Sequence, residues 1–362
     1  MMWREIHGSD NWAGLLHPLH PWLRREIVKY GELAQAMYDA FDPHRPWSCC
    51  YSPGGILDRL GLAENSYRVS GYVYAATHPE LPHFLERLLH ADAWTAKESH
   101  WMGYVAVSDD EESRRIGRRD IVVAWRGTTT ASEWFRDQQA RLEPVKGQRF
   151  GRGEHARVEH GFQSIYRSRS ASATRNKNTD SIVSEQAMVQ LGFKLYHPRG
   201  EEVSLTVTGH SLGGALALLN GHEVALMIPD LPVSVVSFGA PWVGNAAFRE
   251  ELRGLGACVL RVVSKQDLVP KLPGVVYAHV GTELRVDTRV LPYLKQGFHP
   301  AGVHGLETYM HLVDGYMCRR AGFQAEAKRD VLLVNKACTM LKEELRAPSR
   351  WYHRPSPRAR QD

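Results

Sequence analysis

The stretch that decides the fold is Val203-Ser204-Leu205-Thr206-Val207-Thr208-Gly209-His210-Ser211-Leu212-Gly213-Gly214-Ala215-Leu216. Its first six residues are rich in β-branched side chains and predict a buried strand. From Ala215 to Met227 the chain turns to alanine and leucine, which predicts a helix. Between the two lies Gly209-His210-Ser211-Leu212-Gly213, a Gly-x-Ser-x-Gly turn joining strand to helix. Such a turn holds its serine in strained dihedrals, so the side chains two positions to either side must be small. Gly209 and Gly213 meet that demand, and Gly214 and Ala215 let the helix pack closely on the sheet. The helix N-terminus then points at the serine, where free backbone N–H groups favour developing negative charge. Ser211 is therefore the candidate nucleophile.

A serine hydroxyl is a weak nucleophile until a base takes its proton, and the base needs an acid to orient it. In α/β hydrolases the order along the chain is Ser, then Asp or Glu, then His. The acid should leave the C-terminal end of a strand. Leu260-Arg261-Val262-Val263-Ser264 reads as such a strand, and Asp267 lies just past it. Asp287 and Asp314 are rivals that sit less naturally after a buried strand. For the base, the later candidates are His299, His304 and His311. His304 opens the segment Val303–His311 at a loop-to-helix start, where a side chain can reach inward, and His311 is the reserve. His304, Glu307 and His311 also share one helix face at i, i+3 and i+7, which resembles metal-ligand spacing. No His-Glu-x-x-His pattern accompanies them, and the expectation is no metal. An oxyanion hole needs two donors. One is the backbone N–H of Leu212. The other should come from the loop after an early buried strand, and Arg126-Gly127-Thr128 follows Ile121 to Trp125, so Thr128 is the candidate through its N–H and hydroxyl.

Outside these motifs, Arg24 to Phe41 carries apolar residues at Ile27, Tyr30, Ala34, Met37 and Phe41, a spacing that predicts an amphipathic helix. Residues 43–56 read as a Pro/Gly loop. Strands are expected over Tyr72–Ala76, Trp101–Val107, Asp120–Trp125, Val233–Phe238 and Val259–Ser264. A charged turn is expected over Asp109–Arg119 and a polar surface loop over 167–180. Helices are expected near Ile182–Leu195 and over Asp330–Leu345. Strands alternating with helices predict an α/β fold around a mostly parallel central sheet. The chain divides into an N-terminal helical or cap extension over 1–100, a core over 101–346, and a basic, disordered tail over 347–362.

With 43% hydrophobic and 23% charged residues among 362, the chain is globular and not disordered. A net charge of +5 fits contact with an anionic lipid surface but is too small for its length to argue for nucleic acid. Five cysteines, an odd number without Cys-x-x-Cys spacing, predict free thiols in a reducing compartment and no structural zinc. The most apolar run, Gly213 to Ile228, is broken by His222 and Glu223 and is too short and polar to cross a bilayer. Dealings with membranes are therefore expected at their surface. The first residues lack the apolar region of a signal peptide and the Ser-rich, acid-poor stretch of a transit peptide, so the expected location is the cytoplasm. Neither Gly-x-Gly-x-x-Gly nor a P-loop follows a strand, which excludes a nucleotide-binding α/β protein.

Arg126-Gly127-Thr128, Glu133-Trp134, the Gly209–Gly213 turn, Asp267 and His304 together resemble the class 3 lipases, the fungal-type lipase family. The resemblance extends to the plant branch of phospholipase A1-type acylhydrolases. It is carried there by Asn11-Trp12-x-Gly14-Leu15-Leu16, Gly117-Arg118-Arg119-Asp120, His160-Gly161-Phe162 and Phe238-Gly239-Ala240-Pro241. It implies an α/β-hydrolase fold with a lid, the lid region falling around Trp134-Phe135. It also implies release of fatty acid from the sn-1 position of phospholipids, with galactolipid or triacylglycerol hydrolysis as the alternative. Ser211 would be the nucleophile, Asp267 the acid, His304 the base and Thr128 an oxyanion donor, with no cofactor. A non-catalytic lipase-like sensing or interaction protein is the alternative of another class. Some plant relatives carry transit peptides, so the chloroplast is the alternative location. Two departures from the family pattern stand out: Trp242 after Pro241, where the family usually has arginine, and a short stretch between Pro273 and Tyr277.

Overall fold

The strands expected around Ser211 form the centre of a seven-stranded sheet. The computed structural model describes residues 3–42, 49–76, 99–127, 141–145, 155–168, 200–295, 297, 299–316 and 327–352. Its strands are β1 (Tyr67–Ala76), β2 (Ser99–Ser108), β3 (Arg119–Trp125), β4 (Leu142–Pro144), β5 (Arg157–Glu159), β6 (Val203–His210), β7 (Val233–Phe238), β8 (Cys258–Ser264) and β9 (Thr282–Val286). The large sheet runs β1-β2-β3-β6-β7-β8-β9, and β4 pairs with β5 apart from it. β1 pairs antiparallel with β2 and β2 with β3, whereas β3, β6, β7, β8 and β9 run parallel.

Parallel strands covered on both faces read as continuous apolar runs, and their alternation assigns each side chain to a face. Ile121, Val123 and Trp125 of β3 pack with Leu205 and Val207 against the Leu212–Met227 helix. Val122 and Ala124 face the other way, toward Ile27, Leu33, Ala34 and Met37 of the Pro21–Asp39 helix. The Leu212–Met227 helix is buried nearly all round, as its uniform apolarity requires. The Pro21–Asp39 helix begins earlier than its apolar spacing predicts. Pro21 suits the first helical turn, and the His20 side chain accepts the N–H of Trp22. The first hundred residues thus supply both a layer of the core and, with β1, an outer strand of the sheet.

A buried polar cluster joins that helix to the sheet. The Asp120 carboxylate accepts from the hydroxyls of Tyr30 (2.9 Å), Tyr67 (2.8 Å), Ser204 (2.8 Å) and Thr206 (3.0 Å). Lys29 bridges Glu26 and Glu112 at 2.8 and 2.9 Å. Burial pushes the Glu26 carboxyl up, but Lys29, Arg118 and Arg115 outweigh it and bring its pKa to about 2.

Two sequence expectations are corrected. Asp109–Arg119 holds a helix, Asp110–Ile116, and not a turn alone. Asp109 Oδ1 accepts the N–H groups of Glu111 and Glu112, acids fill the first turn, arginines the last, and Gly117 ends it at φ 77°. The expected helix over Asp330–Leu345 is absent. Short 3-10 turns at Val331–Asn335 and Glu343–Leu345 flank irregular backbone. The Asn335 side chain accepts the N–H groups of Met340 and Leu341, offering the backbone an alternative to a helix. The expected loop over 43–56 contains, in its described part, a 3-10 turn at Pro53–Gly55 that leads into the Ile56–Arg59 helix. The expected helix at Ile182–Leu195 and most of the polar loop over 167–180 lie outside the described residues. So does the tail beyond Tyr352. Before that point Trp351 Nε1 donates to the Leu332 carbonyl and the Tyr352 hydroxyl to that of Asp39, tying the chain to the body.

Candidate active site

Ser211 stands at the junction of β6 and the helix after it, with φ 59° and ψ −128°. A residue with a side chain adopts that conformation only where its surroundings enforce it. Here they do. The Ser211 N–H donates to the Phe238 carbonyl at the end of β7 (2.9 Å), which pins the turn to the neighbouring strand. A side chain at Gly213 would collide with the Trp125 carbonyl, so glycine is required by close approach of helix to strand. Gly127, just past β3, meets the same limit. A Cβ there would strike the Tyr38 hydroxyl and the His210 carbonyl and come within 3.3 Å of Ser211 Cβ. The start of the Arg126-Gly127-Thr128 motif therefore lies against the serine. Ser211 Oγ is buried and has no hydrogen-bond partner among the described residues. The N–H of Leu212 belongs to the first helical turn, where the helix itself offers no acceptor.

Asp267 is buried beyond the end of β8. Its Oδ2 lies 2.6 Å from His304 Nδ1 and accepts the Tyr309 hydroxyl at 2.7 Å, while Oδ1 accepts the Val269 N–H at 3.0 Å. An ionised carboxylate only accepts, so His304 Nδ1 carries the proton and Nε2 is left as the basic nitrogen. Tyr309 is held in turn by the Ser264 N–H, which donates to its hydroxyl at 3.2 Å. His304 sits at the C-terminal end of the short Pro300–Val303 helix, its N–H bound to the Pro300 carbonyl. The His304 carbonyl is 2.6 Å from His210 Nε2, and His210 Nδ1 is 2.8 Å from the Tyr38 hydroxyl. A carbonyl cannot donate, so Nε2 of His210 carries the proton and Nδ1 accepts from Tyr38. Burial, and then His304 beside it, hold the His210 pKa well below the usual imidazole value, in keeping with that neutral ring.

The structure thus brings Asp267 and His304 into contact and links His304 to the elbow through His210, the neighbour of Ser211. His311, Asp287 and Asp314 are engaged elsewhere, and His299 precedes the short helix that ends at His304. His311 faces the Glu307 and Asp330 carbonyls at 2.8 and 2.9 Å. Glu307 pairs with Arg329 at 2.7 Å, so the histidine–glutamate face of that helix is occupied by other contacts. Asp287 is bound by Lys265 and Arg289, and Asp314 accepts the Arg329 N–H. Thr128, Trp134 and Phe135 lie outside the described residues. Sequence reasoning missed Tyr38, His210 and Tyr309. His210 occupied a variable position of the turn motif, and nothing local marks Tyr309 as the partner of an acid in another part of the chain.

A mostly parallel sheet, a strained serine between strand and helix, and a buried Asp–His pair supplied by later segments define an α/β hydrolase. The sequence profile of the family Lipase (class 3) matches residues 122–277. The chain is 40% identical to "Phospholipase A1-Igamma2, chloroplastic" of Arabidopsis thaliana, over 96% of this chain and 72% of that protein. It is 41% identical to "Phospholipase A1-II 4" of Oryza sativa subsp. japonica, over 96% of this chain and 89% of that one. The crystal structure of the lipase from Rhizopus microsporus var. chinensis shares the fold, with a TM-score of 0.50 at 22% identity over 75% of this chain and 76% of its own. This chain belongs to the class 3 lipase family, in its plant phospholipase A1-type branch.

Proposed function

We propose that this chain is a lipolytic serine hydrolase that releases fatty acid from the sn-1 position of glycerophospholipids. The observation that carries the reading is the 2.6 Å contact between His304 Nδ1 and Asp267 Oδ2, which leaves Nε2 as the base for an elbow serine. His304 Nε2 takes the Ser211 Oγ proton as Oγ attacks the ester carbonyl. The N–H groups of Leu212 and Thr128, with the Thr128 hydroxyl, hold the oxyanion. His304 returns the proton to the lysolipid oxygen, and the ester bond breaks to leave an acyl group on Ser211. Water, deprotonated by the same nitrogen, then releases the fatty acid and restores the hydroxyl. The family resemblance supports assigning the lid to the Trp134-Phe135 region. No metal or cofactor enters the scheme. The substrate is met at a lipid surface, and among the described residues no helix is long and apolar enough to cross a membrane.

The relatives named phospholipase A1 support the choice of head-group class. Three Arabidopsis relatives are named chloroplastic, which favours the chloroplast over the cytoplasm expected from the sequence. The test is a product assay on phospholipid with distinguishable sn-1 and sn-2 chains, run beside galactolipid and triacylglycerol, with wild type and Ser211→Ala. The expected result is predominant sn-1 release by the wild type and none by the variant. Full activity of Ser211→Ala on short-chain esters would refute the mechanism. Predominant sn-2 release, or preference for another lipid class, would refute the substrate.

A further inference from the structure

The two departures from the family pattern, Trp242 and the short stretch 273–277, meet in one loop. It leaves the C-terminal end of β8 through Asp267 and returns at Tyr277. Trp242 clamps its middle. The Trp242 N–H donates to the Leu272 carbonyl at 2.8 Å, the indole N–H donates to that of Pro270 at 2.5 Å, and the ring packs edge-on against His279 with centroids 4.0 Å apart. The Tyr277 N–H closes a turn on the Gly274 carbonyl at 2.9 Å, and Asp267 Oδ1 fixes the other end through Val269. The loop is therefore held at both ends and in the middle, yet it turns apolar side chains outward. Val275 is fully exposed, Val276 is 66% exposed and Leu268 36%. Fixed valines facing water are unfavourable unless something apolar receives them.

What receives them follows from position and charge. β6 and β8 run in the same direction in one parallel sheet, so this loop and the Ser211 turn emerge at the same edge. The loop also begins at the acid that contacts His304. Lys271, in the same loop, and Lys265, just before it, are exposed, and the Lys271 ammonium donates to the Lys265 carbonyl at 3.0 Å. Asp287 is matched by Lys265 and Arg289 together, which leaves the patch net basic. Exposed valines and lysines on one loop fit a bilayer, with valines in the acyl region and ammonium groups at the phosphates.

We infer that the loop over 268–276 is a membrane-docking wedge, with Val275 and Val276 entering a phospholipid bilayer and turning the Ser211 edge of the sheet toward it. The inference rests on the reading that the substrate is a glycerolipid. Its test is sedimentation of the full chain, in a Ser211→Ala background, with vesicles of phosphatidylcholine alone and with phosphatidylglycerol added. Val275→Ser/Val276→Ser should lower vesicle binding on the order of a hundred-fold, the lower end of what burying two valine side chains contributes. Added phosphatidylglycerol should tighten binding of the parent. With Ser211 restored, the serine pair should hydrolyse a soluble short-chain ester at the parental rate and dilute vesicle lipid more slowly by the same factor as the loss in binding. Val275→Leu/Val276→Leu should bind vesicles more tightly, and it decides the matter if the serine pair fails to fold. Unchanged vesicle binding by both pairs overturns the inference. So does a valine-dependent dimer with vesicle binding unaffected, which would assign the loop to a second copy of this chain. Because binding is measured without the nucleophile, valine-dependent binding by a protein that hydrolyses no phospholipid leaves the wedge standing while the substrate assignment falls.

Discussion

At Asp267 three donors converge on one buried carboxylate: the His304 ring, the Tyr309 hydroxyl and the Val269 N–H. The two side chains reach the same oxygen, so Tyr309 fixes the plane in which that oxygen meets the imidazole. Burial, and then the Asp267 charge, push the tyrosine pKa well above its usual value, so it remains a donor at any working pH. Tyr309→Phe should therefore act through Asp267 as the loss of a positioning contact. We expect kcat to fall about ten-fold with KM nearly unchanged, on the order of 1.4 kcal/mol of transition-state stabilisation. A hydrogen bond to a charged group also contributes about 1.5–3 kcal/mol to stability, so the urea midpoint should fall as well. Equal loss in KM and kcat, or no loss in either, would show that the hydroxyl does not orient the acid. Of the residues at this scale, Ser211 was legible in its turn, and chain order narrowed its partners to Asp267, Asp287 or Asp314 and to His299, His304 or His311. Tyr309, His210 and Tyr38 were not, because their roles come from contacts between distant segments.

The Pro21–Asp39 helix meets the sheet through a carboxylate. Asp120 gathers hydroxyls from that helix, from β1 and from β6, with Arg118 3.9 Å away. Asp120→Ala would take the ion-pair partner from the buried Arg118 guanidinium and the acceptor from the Tyr67 and Ser204 hydroxyls, whereas Tyr30 still reaches Glu26 and Thr206 still reaches Tyr30. The expected cost is about 3–5 kcal/mol, read as a lower urea midpoint at unchanged slope. Asp110→Ala is the control. Asp110 pairs with Arg119 at the surface, and its loss should cost less than about 1 kcal/mol. An Asp120 variant as stable as its control would mean that apolar packing alone docks the helix. Six strands were legible at this scale because β-branched runs have few other uses, whereas β4, β5 and β9 were not expected. The Asp110–Ile116 helix was hidden because its signal lies in its caps and charges and not in apolar spacing. The failed Asp330–Leu345 helix had the spacing, but Asn335 takes the N–H groups that a helix would use.

Across the whole molecule, burial leaves several imidazoles neutral. Desolvation, with Arg118 adding to it, pushes His7 down to about 3, and desolvation with Arg126 does the same to His100. His210 is lowered as well. The unfolded chain binds these protons near pH 6.5, whereas the folded chain stays neutral far below that, so the unfolded state gains protons first as the solution is acidified. Stability is full above about pH 6.5 and declines toward pH 3, by up to about 1.4 kcal/mol per pH unit for each histidine. Urea titrations between about pH 7.5 and 5 should show this decline before most carboxylates titrate. His7→Gln should make it shallower. A flat profile in that window would mean that these rings are not held neutral.

By itself the sequence determined the parallel α/β frame, the strained serine between strand and helix, and the order in which acid and base follow it. Those features are written in local chemistry: β-branched runs, glycines where backbone meets backbone, and a turn that few residues can make. The tertiary structure alone decided which aspartate meets which histidine, that His210 and Tyr309 hold them, and that Trp242 locks a loop with its valines outward. These outcomes depend on side chains from distant segments being packed together, and spacing along the chain carries no measure of that distance.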